Sequence, residues 1–511
     1  MYTEVDAMIN IGSRRECFFD DFLIDTSKTS AEARIHKLQR KGVAIKMDKP
    51  WEGSFCGYHN IIYVDGKYRM YYRCYERDSE DQRFACAESI DGITWIKPEL
   101  GIVEIDGSKN NNVIMDTKTF HELGFNFFDG AHIFYDTNPK CSPEERYKMV
   151  SMWCGNHALV TMSSADGFHF EKLRVLTTDG EFDSHNLAFW DEVRQKYFCY
   201  FRGEHKPDKS ISFESRSYVE GIANTYFDYE KRAYNEPGDE VDPFMRDIRV
   251  MESEDFITWT PQQLIKMNGS DVHLYTNGVM PYPRAPHIFT AIPTRYYERK
   301  AWTPTYDELC GSEKRLQGIL SKKSAPRCNL AVTDAIFMTS RDGHKFTRYD
   351  EAIVPPLPEY PLGWCYGSTY VTPALIETPS DIPGADNEYT IFVSENYASV
   401  PNQLQLGRYT IRLDGFVSRH ADGEEKILAT KEFIYDGDML FANIETSAWG
   451  HAYFTLKCEG KEYTSYGIFG NSVNKKIHFM DENAVRKLSG KAVTLEIRMV
   501  DCDIYGIKFE K

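Results

Sequence analysis

Long apolar runs are missing from this chain, and so is any excess of positive charge. No stretch approaches the roughly 20 apolar residues that a membrane helix needs. The N-terminal "MYTEVDAMINIGSRRECFF" has no apolar core of the kind a secretory leader carries. Lys and Arg total 60 against 77 Asp and Glu, a formal charge of -17, which argues against a general affinity for nucleic acid or anionic membranes. The 12 cysteines are scattered singly, as at Cys17, Cys56, Cys74 and Cys86, with no Cys-x-x-Cys pair. Zinc sites and a disulfide framework are therefore not expected. Also missing are a Gly-x-Gly-x-x-Gly after a strand, a phosphate loop and a Gly-x-Ser-x-Gly elbow, so nucleotide binding and serine hydrolysis lack their signals. The histidines are too dispersed to declare a metal site; an ion or water on a channel axis would have His59 or His185 as its neighbour. A soluble protein of a reducing cytoplasm is expected, with no cofactor, no nucleic acid and no membrane partner.

What the chain has is repetition. "SIDGITW", "SADGFHF", "SEDFITW", "SRDGHKF" and "RLDGFVS" carry Asp91, Asp166, Asp255, Asp342 and Asp414. A strand-like run precedes each, and Asp-Gly, or its Asp-Phe variant, suits a tight turn before an aromatic that returns to a core. Two more such runs lie upstream in each unit, as in "NIIYV" then "YRMYYRCY" and "NLAFW" then "KYFCYFR". Five units of three or four short antiparallel strands predict an all-β fold, a five-bladed propeller. Tandem β-sandwiches are the alternative, but a single small sheet per unit cannot cover both of its faces without neighbours. Polar insertions at His205–Arg246 and Thr294–Arg327 interrupt the pattern, either to shape a site or as surface decoration. From Lys431 to Lys511, "MLFANIE", "AYFTLKC" and "KAVTLEIRMV" alternate with period two. The expected division is therefore residues 1–430 as propeller and 431–511 as a β-sandwich.

Three core strands are headed by polar words: "GYHNIIYVDG", "FDSHNLAFW" and "YTNGVMPYP". Aligning the blades places His59 with His185 and Asn60 with both Asn186 and Asn277. The innermost strand of a propeller blade runs along the central channel, so these words would form one polar ring. They either face a ligand or hydrogen-bond the channel backbone.

Five blades, "YVDGKYRMYY", "FDSHNLAFW" and the C-terminal sandwich together resemble the five-bladed propeller glycoside hydrolases of families 32 and 43, with the two-domain plan of family 32. The resemblance implies a carbohydrate substrate and carboxylates on the innermost strands. The family-32 nucleophile is the Asp of an Asp-Pro pair, and alignment on "IYVDG" puts Gly57 in its place. Glycoside cleavage needs an acid for the leaving oxygen and a base or nucleophile opposite. The candidates are Asp183 in "FDSHN", Asp129 in "FFDGAH" and Glu395 in "FVSENY", with Asp183 ionised and Glu395 or Asp129 as its protonated counterpart. Glu204 in "FRGEH" and Glu52 in "PWEGSF", beside Trp51, are further candidates for contact with substrate, along with His59, Asn60, His185, Asn186 and Asn277. Arg73 and Arg202 fall at matched places in "YYR" and "YFR", where they would hold a carboxylate, bind an acidic sugar or join blades as ion pairs. A non-catalytic sugar-binding propeller is the second reading, and a lyase with a His base the third.

Overall fold

Lys67–Tyr75 reads KYRMYYRCY, and its middle is fully buried. A strand stays apolar on both faces only where both are covered. Met70, Tyr72 and Cys74 enter one core while Tyr71 enters another. Lys196–His205 splits the same way: Tyr197, Cys199 and Phe201 go to one side, Phe198 and Tyr200 to the other.

The computed structural model describes residues 8–76, 81–124, 128–153, 157–205, 227–234, 245–299, 301–320, 327–361, 363–397 and 403–511. Five sheets follow one another along the chain. Their innermost strands are Gly57–Val64, Phe128–Tyr135, Leu187–Asp191, Met280–Tyr282 and Ile376–Thr378. Each neighbouring pair of sheets shares one apolar cluster. The fifth shares one with the first, where Phe392 and Leu406 meet Met70, Tyr72 and Ala85. Cores that lie between sheets and return to their starting point make a five-bladed β-propeller and exclude tandem sandwiches.

The repeated turn has a local cause. Ser89 donates to Asp91 Oδ1 at 2.9 Å, and the same oxygen accepts from the backbone N–H groups of Ile93 and Thr94 at 2.8 and 2.7 Å. Asp166, Asp255 and Asp342 repeat these contacts after the third strand of their blades. Asp414 departs from the pattern. The outer strand of blade five is Gln39–Lys46, paired with Gln405–Arg412, so no hairpin follows Asp414. It is instead buried, accepting from Tyr282 Oη at 2.7 Å and pairing with Arg284 at 3.1 Å and Arg15 at 3.3 Å.

The remaining strands form a ten-stranded sheet organised on two long strands, Met439–Cys458 and Ala492–Glu510. Their alternate residues, among them Leu440, Phe454, Leu495 and Phe509, fill one core that the sheet itself largely encloses. Strands at Ile9–Gly12, Glu16–Cys17, Glu32–Ile35, Val417–Ala421 and Lys426–Ala429 also lie in this sheet. The sequence division at residue 430 had placed them in the propeller. Alternation marks a strand but not its partner, and here the change of partners falls after Gln405–Arg412, with residues 9–35 joining the C-terminal sheet. Most of the His205–Arg246 insertion lies outside the described residues. Among the described residues no helix is long and apolar enough to cross a membrane.

Cutting after residue 430 is therefore expected to leave no folded pair of fragments, because strand Ala492–Glu510 pairs with Glu16–Cys17 and Val417–Ala421. Calorimetry of fragment 1–430 should show no cooperative transition. A soluble fragment with a sharp transition of its own would overturn this.

Candidate active site

On the middle strands of blades one and three the apolar row ends in a cation. Two residues beyond Tyr71 comes Arg73, and two beyond Tyr200 comes Arg202, so both guanidiniums emerge from an inter-blade face at the same end of the ring. Arg73 is 6% exposed and Arg202 2%, and buried charges of this kind need partners. Arg73 Nη1 lies 2.5 Å from Asp129 Oδ1 on the innermost strand of blade two. Arg202 pairs through Nη1 with Asp183 and through Nη2 with Glu204 at 3.0 Å. Burial works against both cations, but Asp129 and Tyr397 hold Arg73 above the usual arginine value, and Glu204 and Tyr275 do the same for Arg202. The aspartates are what solvent reaches: their side chains are 18% and 24% exposed.

Between the two arginines runs a stack of rings. The Arg73 guanidinium sits 5.2 Å from the Tyr58 ring. Tyr58 stacks on Tyr370 at 6.4 Å, and Tyr370 on Tyr275 at 5.3 Å with an interplanar angle of 8°. Arg202 closes the row 5.7 Å from Tyr275. Tyr58 Oη also donates to the Asp183 carbonyl at 3.2 Å. The row joins blades one, five, four and three and is buried along its length, linking the two arginines that hold the aspartates. Tyr58, Tyr275 and Tyr370 are not among the residues chosen from sequence. A signal existed for two of them, since Tyr58 and Tyr275 each stand two places before a matched asparagine. Glu181 was also missed; it is buried and contributes to the field around Arg202.

The matched asparagines hold the ring together. Asn60 Nδ2 donates to Ile133 O at 2.7 Å, Asn186 Nδ2 to Phe182 O at 2.8 Å and Gly130 O at 3.2 Å, and Asn277 Nδ2 to His185 O at 2.9 Å. Innermost strands one, two, three and four are thus tied in sequence. Gly130 has φ +59°, and a Cβ there would overlap the Ser184 carbonyl, so glycine is required where blades two and three meet. His59 and His185 are buried in the same wall. His59 stacks on Tyr72 at 5.3 Å, and His185 packs against Tyr58 and His132. Burial pushes His59 down to about 3, and His185 is also pushed well below the usual imidazole value, chiefly by burial.

Two acids named from sequence lie in other networks. Glu395 accepts from Arg40 Nε and Nη2 at 2.7 and 3.0 Å, from Gln405 at 2.8 Å and from Tyr409 Oη at 3.1 Å, all within blade five. It does not contact Asp183 and is not placed as its acid counterpart. Glu52 accepts from Tyr72 Oη at 2.8 Å, Lys97 Nζ at 2.7 Å and the Lys49 backbone at 2.8 Å, while Trp51 donates to Asn112. Gly57 sits opposite Arg73, and a Cβ on it would meet the Tyr397 ring at 3.4 Å. Among the described residues no group of three or more His, Cys, Asp or Glu could hold a metal ion.

The sequence matches no protein-family model and no curated protein. Among solved structures, the chain is similar to an N-acetylgalactosamine deacetylase from F. plautii, crystallised with blood group B trisaccharide, at 12% identity and a TM-score of 0.41, covering 73% of this chain and 95% of that one. It is also similar to a thermostable family-43 glycoside hydrolase, at 11% identity and 0.38, covering 72% and 94%. A third is a family-43 arabinoxylan arabinofuranohydrolase from Bacillus subtilis, at 10% and 0.35, covering 95% and 100%. At such scores the likeness adds nothing to the strand pairings and shared cores from which the propeller is read.

Two outcomes follow from this wall. Asn277→Ala leaves the His185 carbonyl without its donor and should lower stability by about 1–3 kcal/mol in denaturant unfolding, whereas a loss-free variant would remove Asn277 from the ring's framework. A buried imidazole held near 3 binds no proton where the unfolded ring, with a value of roughly 6.5, does. Stability should therefore fall as pH drops below about 6.5 toward 3. His59→Phe, which keeps the stacking on Tyr72, should flatten that decline between pH 6.5 and 4.5. Parallel pH profiles for variant and parent would remove His59 as the cause.

Proposed function

We propose that this protein is a glycoside hydrolase-like enzyme that binds a small oligosaccharide or glycoside at the open end of the propeller channel. The observation that carries the reading is a pair of solvent-reached aspartates, each held against a buried arginine, with a row of stacked tyrosines between the arginines. Cleavage breaks the glycosidic C–O bond, adds a water oxygen to the anomeric carbon and delivers a proton to the leaving oxygen. Asp183 is assigned the base or nucleophile, its carboxylate fixed by Arg202. Asp129, beside Arg73, is assigned the carboxylic acid whose proton goes to the leaving oxygen, and Glu204 orients Arg202 from its other side.

Gly57 supports a second reading, a carbohydrate-binding propeller without catalysis. The family-32 nucleophile would project from that position, and here Tyr397 packs against it.

Asp183→Asn keeps the side chain's size and should lower turnover of an aryl glycoside or oligosaccharide by roughly a hundredfold to ten-thousandfold, while calorimetry shows the sugar still bound. Unchanged turnover would exclude Asp183. A parent protein that binds sugars but releases no product across a broad panel would establish the binding reading instead.

A further inference from the structure

Blade three carries a second buried arginine beside Arg202. Tyr200, Arg202 and Glu204 of strand Lys196–His205 stand opposite Val250, Ile248 and Arg246 of strand Met245–Ser253. They share the face that blade three turns to blade four, where Tyr200, Ile248 and Val250 enter one core with Leu274. Arg202 lies over the Tyr275 ring at 5.7 Å and Arg246 over the Tyr296 ring at 4.6 Å, and the two rings stack at 6.3 Å. Arg246 thus repeats the setting of Arg202 one strand further from the channel axis, about 4.8 Å outward.

The two settings differ in charge. Arg202 faces Asp183 and Glu204. Arg246 is 4% exposed and forms no ion pair among the described residues. The acids around it are committed elsewhere: Glu204 to Arg202 at 3.0 Å, Asp247 to Arg249 and His205 at 3.1 Å each, and Asp271 to His205 at 3.5 Å. The Arg246 backbone N–H and Nη1 donate to His273 Nδ1 at 3.3 Å, and its Nε has no hydrogen-bond partner. Burying a guanidinium without a carboxylate is costly. An apolar side chain of similar length would pack on Tyr296 without that cost, so the partner of this charge lies outside the chain.

We infer that Arg246 is the binding site for a carboxylate of the ligand, and that the sugar taken at the channel mouth is therefore an acidic one, a uronide. The inference rests on the carbohydrate reading and deepens it by naming the sugar class. Arg73 and Arg202, the arginines that the sequence offered to an acidic sugar, are occupied by Asp129 and Asp183. A guanidinium gives a carboxylate two parallel N–H bonds, which the hydroxymethyl group of the matching neutral hexose cannot replace. A ring with its acid group on Arg246 extends from there toward Asp183, which Arg202 holds one strand nearer the axis.

Calorimetry on the full chain compares glucuronate and galacturonate with glucose and galactose. The parent should bind the better uronate about tenfold or more tightly than its neutral counterpart. Arg246→Met should bring that ratio to about one, with Arg246→Lys, which keeps the charge but not the two parallel bonds, in between. Thermal unfolding separates this from a structural role. Arg246→Met removes an unpaired buried charge and should unfold at or above the parent's temperature, and uronate should raise the unfolding temperature of the parent but not of that variant. Equal binding of acidic and neutral sugars by the parent, no binding of either, or an unchanged ratio in Arg246→Met overturns the acid site. If uronate binds through Arg246 while no uronide is cleaved, the acid site stands and the hydrolase reading falls. If neutral glycosides and uronides are cleaved alike by parent and Arg246→Met, the hydrolase stands and the acid site falls.

Discussion

A blade of this propeller cannot cover its own faces, and everything else in the structure depends on that. The middle strands are apolar on both sides, so every apolar cluster of the ring lies between two blades. Burying a single Phe, Leu or Met side chain is worth roughly 1.5–3 kcal/mol. An exposed ion pair contributes about 0–1 kcal/mol. The shared cores therefore decide the architecture, and the last of them forms only when Gln39–Lys46 returns to complete blade five beside blade one. The same N-terminal segment also supplies strands to the C-terminal sheet, so one stretch of chain both closes the ring and ties that sheet to it.

The channel site grows from the ends of those cores. Arg73 and Arg202 continue apolar rows and are buried for the same reason as Tyr71 and Tyr200 before them. Desolvating a guanidinium is costly, and its pairing with a carboxylate offsets this without a clear surplus. The Arg73–Asp129 and Arg202–Asp183 pairs are thus poor sources of stability. Their effect is positional: the cation is immobilised by packing, and it immobilises in turn the one member that solvent reaches. Removing either carboxylate's charge leaves a buried cation less well matched, which is why an amide of the same shape isolates chemistry from folding better than alanine.

How much of this was legible follows from how local each signal is. The Ser-x-Asp turns of Asp91, Asp166, Asp255 and Asp342 are closed by atoms two or three residues apart, so four of the five blades could be read directly. Asp414 shares the Asp-Gly pair but has Arg412 where the others have serine, and it is held by Arg15, Tyr282 and Arg284, which only the fold brings near. The matched asparagines were legible as a repeat, while their role as ties between innermost strands depends on the neighbouring blade. Glu52 and Glu395 stood in site-like words, yet each faces cations and hydroxyls of its own network. The tyrosine row was half legible: Tyr58 and Tyr275 share their spacing to an asparagine, but Tyr370 comes from blade five, where no such word occurs.

Position 57 shows why a family pattern could not be carried over residue by residue. An acidic side chain there would need space and a counter-charge. On one side a Cβ would already be in van der Waals contact with the Tyr397 ring, at 3.4 Å. The nearest cation, Arg73, sits directly across the strand pair and is already committed to Asp129. A fourth carboxylate would add to Asp129, Asp183 and Glu204 around only two arginines, in surroundings where burial already disfavours charge. Gly57, Tyr397 and the Arg73–Asp129 pair are therefore one solution rather than three features.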